Sequence, residues 1–120
     1  MDTGLAGVNS LSFSRYLGRK LENMVFLHLR RDLSSLYYYA ESHECDFIVS
    51  RKGVPIKAIQ VCHTLSEDNL DRELKGLESA MNELKIEHGM IITFDQEDTF
   101  ELNGTKISVI PVWKFLLDDY

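Results

Sequence analysis

The sequence predicts an α/β fold: a mixed central sheet of about five or six strands flanked by helices. Three observations lead there. Apolar residues recur at helical spacing in two segments, Ser14 to Arg31 and Ser66 to Leu84. Between and after them lie short runs of β-branched and aromatic residues bounded by turn signals. The resulting order is helix, three strands, helix, strand, hairpin, helix, in which a strand that follows a helix reads as a crossover unit.

Each element has its local reason. After a Gly/Ser-containing lead, Ser12 or Ser14 can cap the first helix, which runs to about Arg31. Leu17, Leu21, Met24, Val25, His28 and Leu29 form its apolar stripe, with Arg15, Arg19, Asn23 and Arg30 opposite. Glu22 falls at the edge of the stripe, and Phe26 and Leu27 lie outside it, which predicts a second covering surface. Leu36 to Ala40 is an aromatic strand. Cys45 to Ser50 and Ile56 to Cys62 are two more, joined through Arg51-Lys52-Gly53 and apolar enough to be buried on both faces. Ser66 begins the second helix, whose first turn carries Glu67 and Asp68, where the helix dipole favours carboxylates. Gly89 to Thr93 is a buried strand and Asp95 to Asp98 an acidic loop. Phe100 to Leu102 and Lys106 to Ile110 form a hairpin through Asn103-Gly104, and Pro111 is placed to start the last helix.

Length and composition bound the function. At 120 residues, 44% apolar and 27% charged, the chain reads as a single ordinary globular domain. Its longest apolar run falls short of the roughly 18 residues a bilayer crossing needs. The segment MDTGLAGVNSLSFSRYLG lacks the basic-then-apolar pattern of a secretory signal, so a cytoplasmic location without a membrane partner is expected. The net charge of −6 opposes polyanion binding, but the charge is uneven. Arg15, Arg19, Lys20, Arg30 and Arg31 stand against Glu22 alone in the first helix, where any contact to DNA or RNA phosphates should lie.

The chemistry-bearing residues are Glu22 in the first helix, Asp46 opening the second strand, and Gln60 and Cys62 in the third. The i, i+2 spacing puts Gln60 and Cys62 on one sheet face. If Asp46 shares that face, Cys45 lies on the other, and a bridge between the two cysteines is disfavoured. Phosphodiester hydrolysis at such a site requires oxygen ligands for Mg²⁺ and a group that polarises water. Asp46, Glu22 and the Gln60 oxygen are the candidate metal ligands. Plainer readings stand beside this one. Glu22 can pair with Arg19, Asp46 can cap a strand end, and Cys62 can be a small core residue. A zinc site from His43, Cys45, Cys62 and His63 is disfavoured by their spacing. Gln60, an amide within AIQVC, requires a buried partner.

The order of Glu22, Asp46, Gln60 and Cys62 resembles the PD-(D/E)xK nuclease core, which implies a restriction-endonuclease-like sheet. More closely, LGRKLENMVFLHLRR, YYYAESHECDFIVSRKG, IQVCHTLSEDNLDREL, GMIITFD and ISVIPVWKFLL resemble the C-terminal domain of unknown function of prokaryotic P-loop ATPases of the AAA type. That resemblance implies a longer parent with an upstream ATPase domain as partner. The sequence has no G-x-x-x-x-G-K-[ST], hence no P-loop ATP site of its own. Carried across, Glu22 is the helix acid, Asp46 the strand acid, Gln60 the Glu-or-Gln position, and Cys62 stands where the lysine belongs. The leading expectation is a catalytically degenerate nuclease-like module acting in nucleic-acid handling or regulatory docking. An active Mg²⁺-dependent nuclease is one alternative; the other is an interaction domain whose Phe26 and Leu27 pack on the ATPase or on another copy of the chain.

Overall fold

A computed structural model describes the backbone of residues 10–32, 35–40 and 44–117. The side chains of Ser12, Ser14 and Tyr37 to Tyr39, and His43 altogether, lie outside the described residues. The elements are α1 (Ser10–Asp32), β1 (Ser35–Ala40), β2 (Glu44–Arg51), β3 (Val54–Val61), α2 (Leu70–Leu84), β4 (Gly89–Thr93), β5 (Asp98–Leu102), β6 (Thr105–Pro111) and α3 (Val112–Leu117). The fold is α/β, and its order is the expected one. The six strands form one mixed sheet in the order β1-β2-β3-β4-β6-β5. β1, β2 and β3 are antiparallel neighbours, β4 runs parallel to both β3 and β6, and β5 returns antiparallel to β6.

Both hairpins turn where the sequence predicts. Lys52 and Gly53 have φ of 54° and 80°, and Asn103 and Gly104 of 49° and 82°, the left-handed pair that a two-residue hairpin loop requires.

The sheet is covered on both faces, because β2, β3, β4 and β6 are apolar on both. On one face, Leu21, Val25 and Leu29 of α1 and Phe115 of α3 pack on Phe47, Val49, Ile59 and Ile92. On the other, Leu77, Ala80 and Met81 of α2 pack on Ile48, Ala58, Ile91 and Ile107. The stripe expected on α1 is therefore right at its centre and wrong at Met24, which is 44% exposed. Phe26 is half-buried rather than free, its ring stacked on Phe47 at 6.3 Å. His28 meets the edge of Phe115 at 5.0 Å, an ordinary half-buried packing role.

Several boundaries differ from expectation: β3 begins at Val54 rather than Ile56, and β5 at Asp98, inside the stretch expected as an acidic loop. α1 begins at Ser10, so Ser12 and Ser14 lie within it rather than capping it. α2 begins at Leu70, not Ser66, and the acids of its first turn are Asp71 and Glu73. The Asn69 side chain does not cap the helix, because its amide nitrogen donates to the Thr64 carbonyl and its oxygen accepts from the Ser66 N–H. Pro111 ends β6, opposite Thr93, and α3 runs from Val112 to Leu117, the range expected for the last helix.

Candidate functional site at the acidic end of the sheet

The site arises from an irregularity in β2. Against β1, Ile48 pairs with Tyr37 but Cys45 with Tyr39, so Asp46 and Phe47 together oppose one residue. Such a bulge bends its strand and re-aims side chains. Against β3, the regular pairing ends at Phe47 and Ile59. Side chains continue the ladder from there. The Asp46 N–H donates to Gln60 Oε1 at 2.8 Å, and the Val61 N–H donates to Asp46 Oδ2 at 2.7 Å. Gln60 Nε2 completes the link by donating to the Glu73 carbonyl of α2 at 3.3 Å. The buried partner that Gln60 requires is thus the backbone on either side of it.

The bulge also corrects the assignment of the cysteines. Cys45 is buried beneath α2 and Cys62 packs against the same cluster, so one sheet face holds both. The alternation that separates them on paper is broken by the extra residue at Asp46 and Phe47. Both remain free thiols.

Asp46 is the most perturbed carboxyl of the site. Burial pushes it up to about 8, with the adjacent Glu22 carboxylate and Glu73 adding to the rise and the Val61 N–H opposing it. Glu22 acts on the Asp46 carboxyl both through its charge and through side-chain hydrogen bonding, and both effects raise it. Glu73 is 8% exposed, bridged to Arg72 at 3.4 Å, and its carboxyl is raised, chiefly by burial. Motif spacing does not single out Glu73, although its place between Leu70, Leu74 and Leu77 on the apolar stripe of α2 is a visible signal.

Cys62 is held as a thiol. Burial pushes it up to about 11, and Glu73 adds to the shift. Its Sγ donates to the Thr64 carbonyl at 3.2 Å and accepts from Asn69 Nδ2 at 3.4 Å.

Glu22, Asp46 and Gln60 are therefore brought together, and Cys62 lies beside them. Their donor set does not suit a resident Mg²⁺. The cation requires several oxygens at near-octahedral positions. Here Gln60 Oε1 already accepts from the Asp46 N–H, and Asp46 Oδ2 from the Val61 N–H. Among the described residues no three His, Cys, Asp or Glu side chains converge for a metal ion.

A cleft of about 830 Å³ opens beside Glu22, between α1 and Phe47, with Tyr16, Arg19, Lys20 and Asn23 on its walls. Arg15, Arg19, Lys20 and Arg30 are all exposed on α1. Arg19 and Lys20 border the cleft, whereas Arg15 and Arg30 do not line it. Among the described residues no helix is long and apolar enough to cross a membrane.

Fold and site together define an α/β domain in which Asp46 and Gln60 tie neighbouring strands beside a helix that carries exposed cations. Residues 17–115 match the DUF4143 family, a domain of unknown function, and the chain belongs to that family. An uncharacterized protein of Methanocaldococcus jannaschii, MJ1544, is 39% identical over 119 residues. The match covers 90% of this chain and 26% of the archaeal protein, so the chain spans about a quarter of that relative's length.

Proposed function

We propose that this chain is a nuclease-like module of a longer AAA-type ATPase, and that it contacts nucleic acid without cutting it. The element order α1-β1-β2-β3-α2-β4, with three antiparallel strands and a fourth parallel to the third, is that expected of a restriction-endonuclease-like core. One observation supports the loss of cleavage: Gln60 Oε1 and Asp46 Oδ2 each accept from a backbone N–H of the neighbouring strand, which occupies oxygens that a metal would need. Cys62 deepens it, since a thiol held at about 11 cannot replace a lysine ammonium or act as a thiolate base near neutral pH. Contact with nucleic acid rests on the cations of α1, which concentrate positive charge on one surface of an otherwise acidic chain.

Two measurements on the 120-residue chain test this. Labelled DNA and RNA oligonucleotides are titrated at increasing salt, and the same oligonucleotides are incubated with Mg²⁺ or Mn²⁺. Binding should weaken as salt rises, and the double variant Arg19→Glu, Lys20→Glu should flatten that dependence, because the slope falls by about one for every phosphate the protein no longer neutralises. The oligonucleotides should stay intact. Metal-dependent cleavage abolished by Asp46→Ala would replace this reading with the active nuclease. Failure to bind any oligonucleotide, with association to an ATPase domain instead, would replace it with the docking domain.

A further inference from the structure

The outward face of α1 carries aromatic rings as well as cations. Phe13 and Tyr16 are 37% and 48% exposed, and their rings stack on each other at 6.3 Å with 23° between planes. Lys20 Nζ stands 5.4 Å from the centre of the Tyr16 ring. Arg19 follows the pair by less than one turn and is exposed as well. Large rings left in water need an explanation, because the buried stripe of the same helix, Leu21, Val25 and Leu29, lies on its other side. Exposed rings interleaved with phosphate-seeking cations match one ligand chemistry: unpaired bases that stack while their backbone is neutralised. A duplex keeps its bases stacked on one another and offers such a face only phosphates.

From this we infer that the α1 face built by Phe13, Tyr16, Arg19 and Lys20 is a stacking platform for single-stranded nucleic acid. The inference rests on the nucleic-acid reading above and narrows its ligand. Tyr16, Arg19 and Lys20 also line the 830 Å³ cleft, so the platform borders a concave surface. The Lys20 ammonium beside the Tyr16 ring holds that ring in place and leaves its charge available to a phosphate.

Fluorescence anisotropy with a labelled 12-nucleotide single strand and with its duplex, on the 120-residue chain, separates these cases. The single strand should bind at least about tenfold more tightly than the duplex at equal salt. Phe13→Ala and Tyr16→Leu should each weaken single-strand binding about five- to tenfold while leaving the salt slope unchanged, and Tyr16→Trp should restore affinity. Both rings are exposed, so circular dichroism spectra of the variants should overlay that of the parent chain. Equal affinity for duplex and single strand, or ring variants that bind single strands like the parent, would overturn the platform while leaving nucleic-acid contact standing. Absence of binding to either form would overturn the underlying reading as well.

Discussion

The chemistry of this domain is decided at Asp46 and Gln60. The amide exchange between them ties β2 to β3 and, through the Glu73 carbonyl, ties both to α2. Gln60→Leu keeps the volume and removes the bonds to the Asp46 N–H and the Glu73 carbonyl, leaving the Asp46 N–H to seek another partner. It should cost about 1–3 kcal/mol in urea unfolding, chiefly the Asp46 N–H left unpaired, because the Glu73 carbonyl keeps its bond within α2. A loss below about 0.5 kcal/mol would show that water replaces the amide without penalty. Asp46 yields a prediction with a definite sign. Below its ordinary value of 3.8 the carboxyl is protonated in both folded and unfolded chains. Between there and about 8 the unfolded chain releases the proton while the folded chain keeps it, so stability is fullest in acid and falls as pH rises. The slope from this group has a ceiling of about 1.4 kcal/mol per pH unit. Asn resembles the protonated acid: it can accept from the Val61 N–H and donate to Glu22. Asp46→Asn should therefore flatten the decline in stability between about pH 4.5 and 8, with Glu73 supplying what slope remains. Parallel curves for parent and variant would place the proton elsewhere.

Among the elements β4 is the pivot, parallel to a neighbour on each side, and its first residue shows how closely it is packed. A Cβ on Gly89 would stand 2.7 Å from Met81 Sδ of α2 and 2.8 Å from Ile107 Cδ1 of β6, closer than side chains approach. Gly89→Ala should destabilise by about 1–3 kcal/mol, because two neighbours must move together in a close-packed layer. A melting temperature equal to that of the parent would mean that Met81 swings aside freely. At this scale the sequence is most legible. Alternating and continuous apolar runs mark every strand, and Lys52-Gly53 and Asn103-Gly104 mark both hairpins, because those signals are local. Legibility ends where structure depends on distant partners. Glu73 sits on an apolar stripe as an acid, and only the convergence of α2 with β3 explains its burial. The bulge at Asp46 and Phe47 has no glycine to announce it, so the face of Cys45 cannot be read by alternation. The grouping of Glu22, Asp46 and Gln60 is readable in order, but that Gln60 spends its amide on the backbone is not.

For the whole molecule the arrangement of two cores on one sheet bears on cooperativity. The cluster under α1 and α3 and the cluster under α2 share β2, β3, β4 and β6, whose alternate side chains enter one core and then the other. Neither helix layer can leave without exposing strands that the other layer still requires, so the two cores should unfold together. Leu29→Ala on one face and Leu77→Ala on the other test this, since both side chains are buried, at 4% and 0% exposure. Each should lower stability by about 2–5 kcal/mol, and each should shift a single transition. Followed by far-UV circular dichroism and by the methyl resonances of each core, the midpoints should coincide in both variants. A variant whose mutated face melts first while the opposite methyls stay protected would show two folding units, and the sheet would then be a shared wall and not a common core.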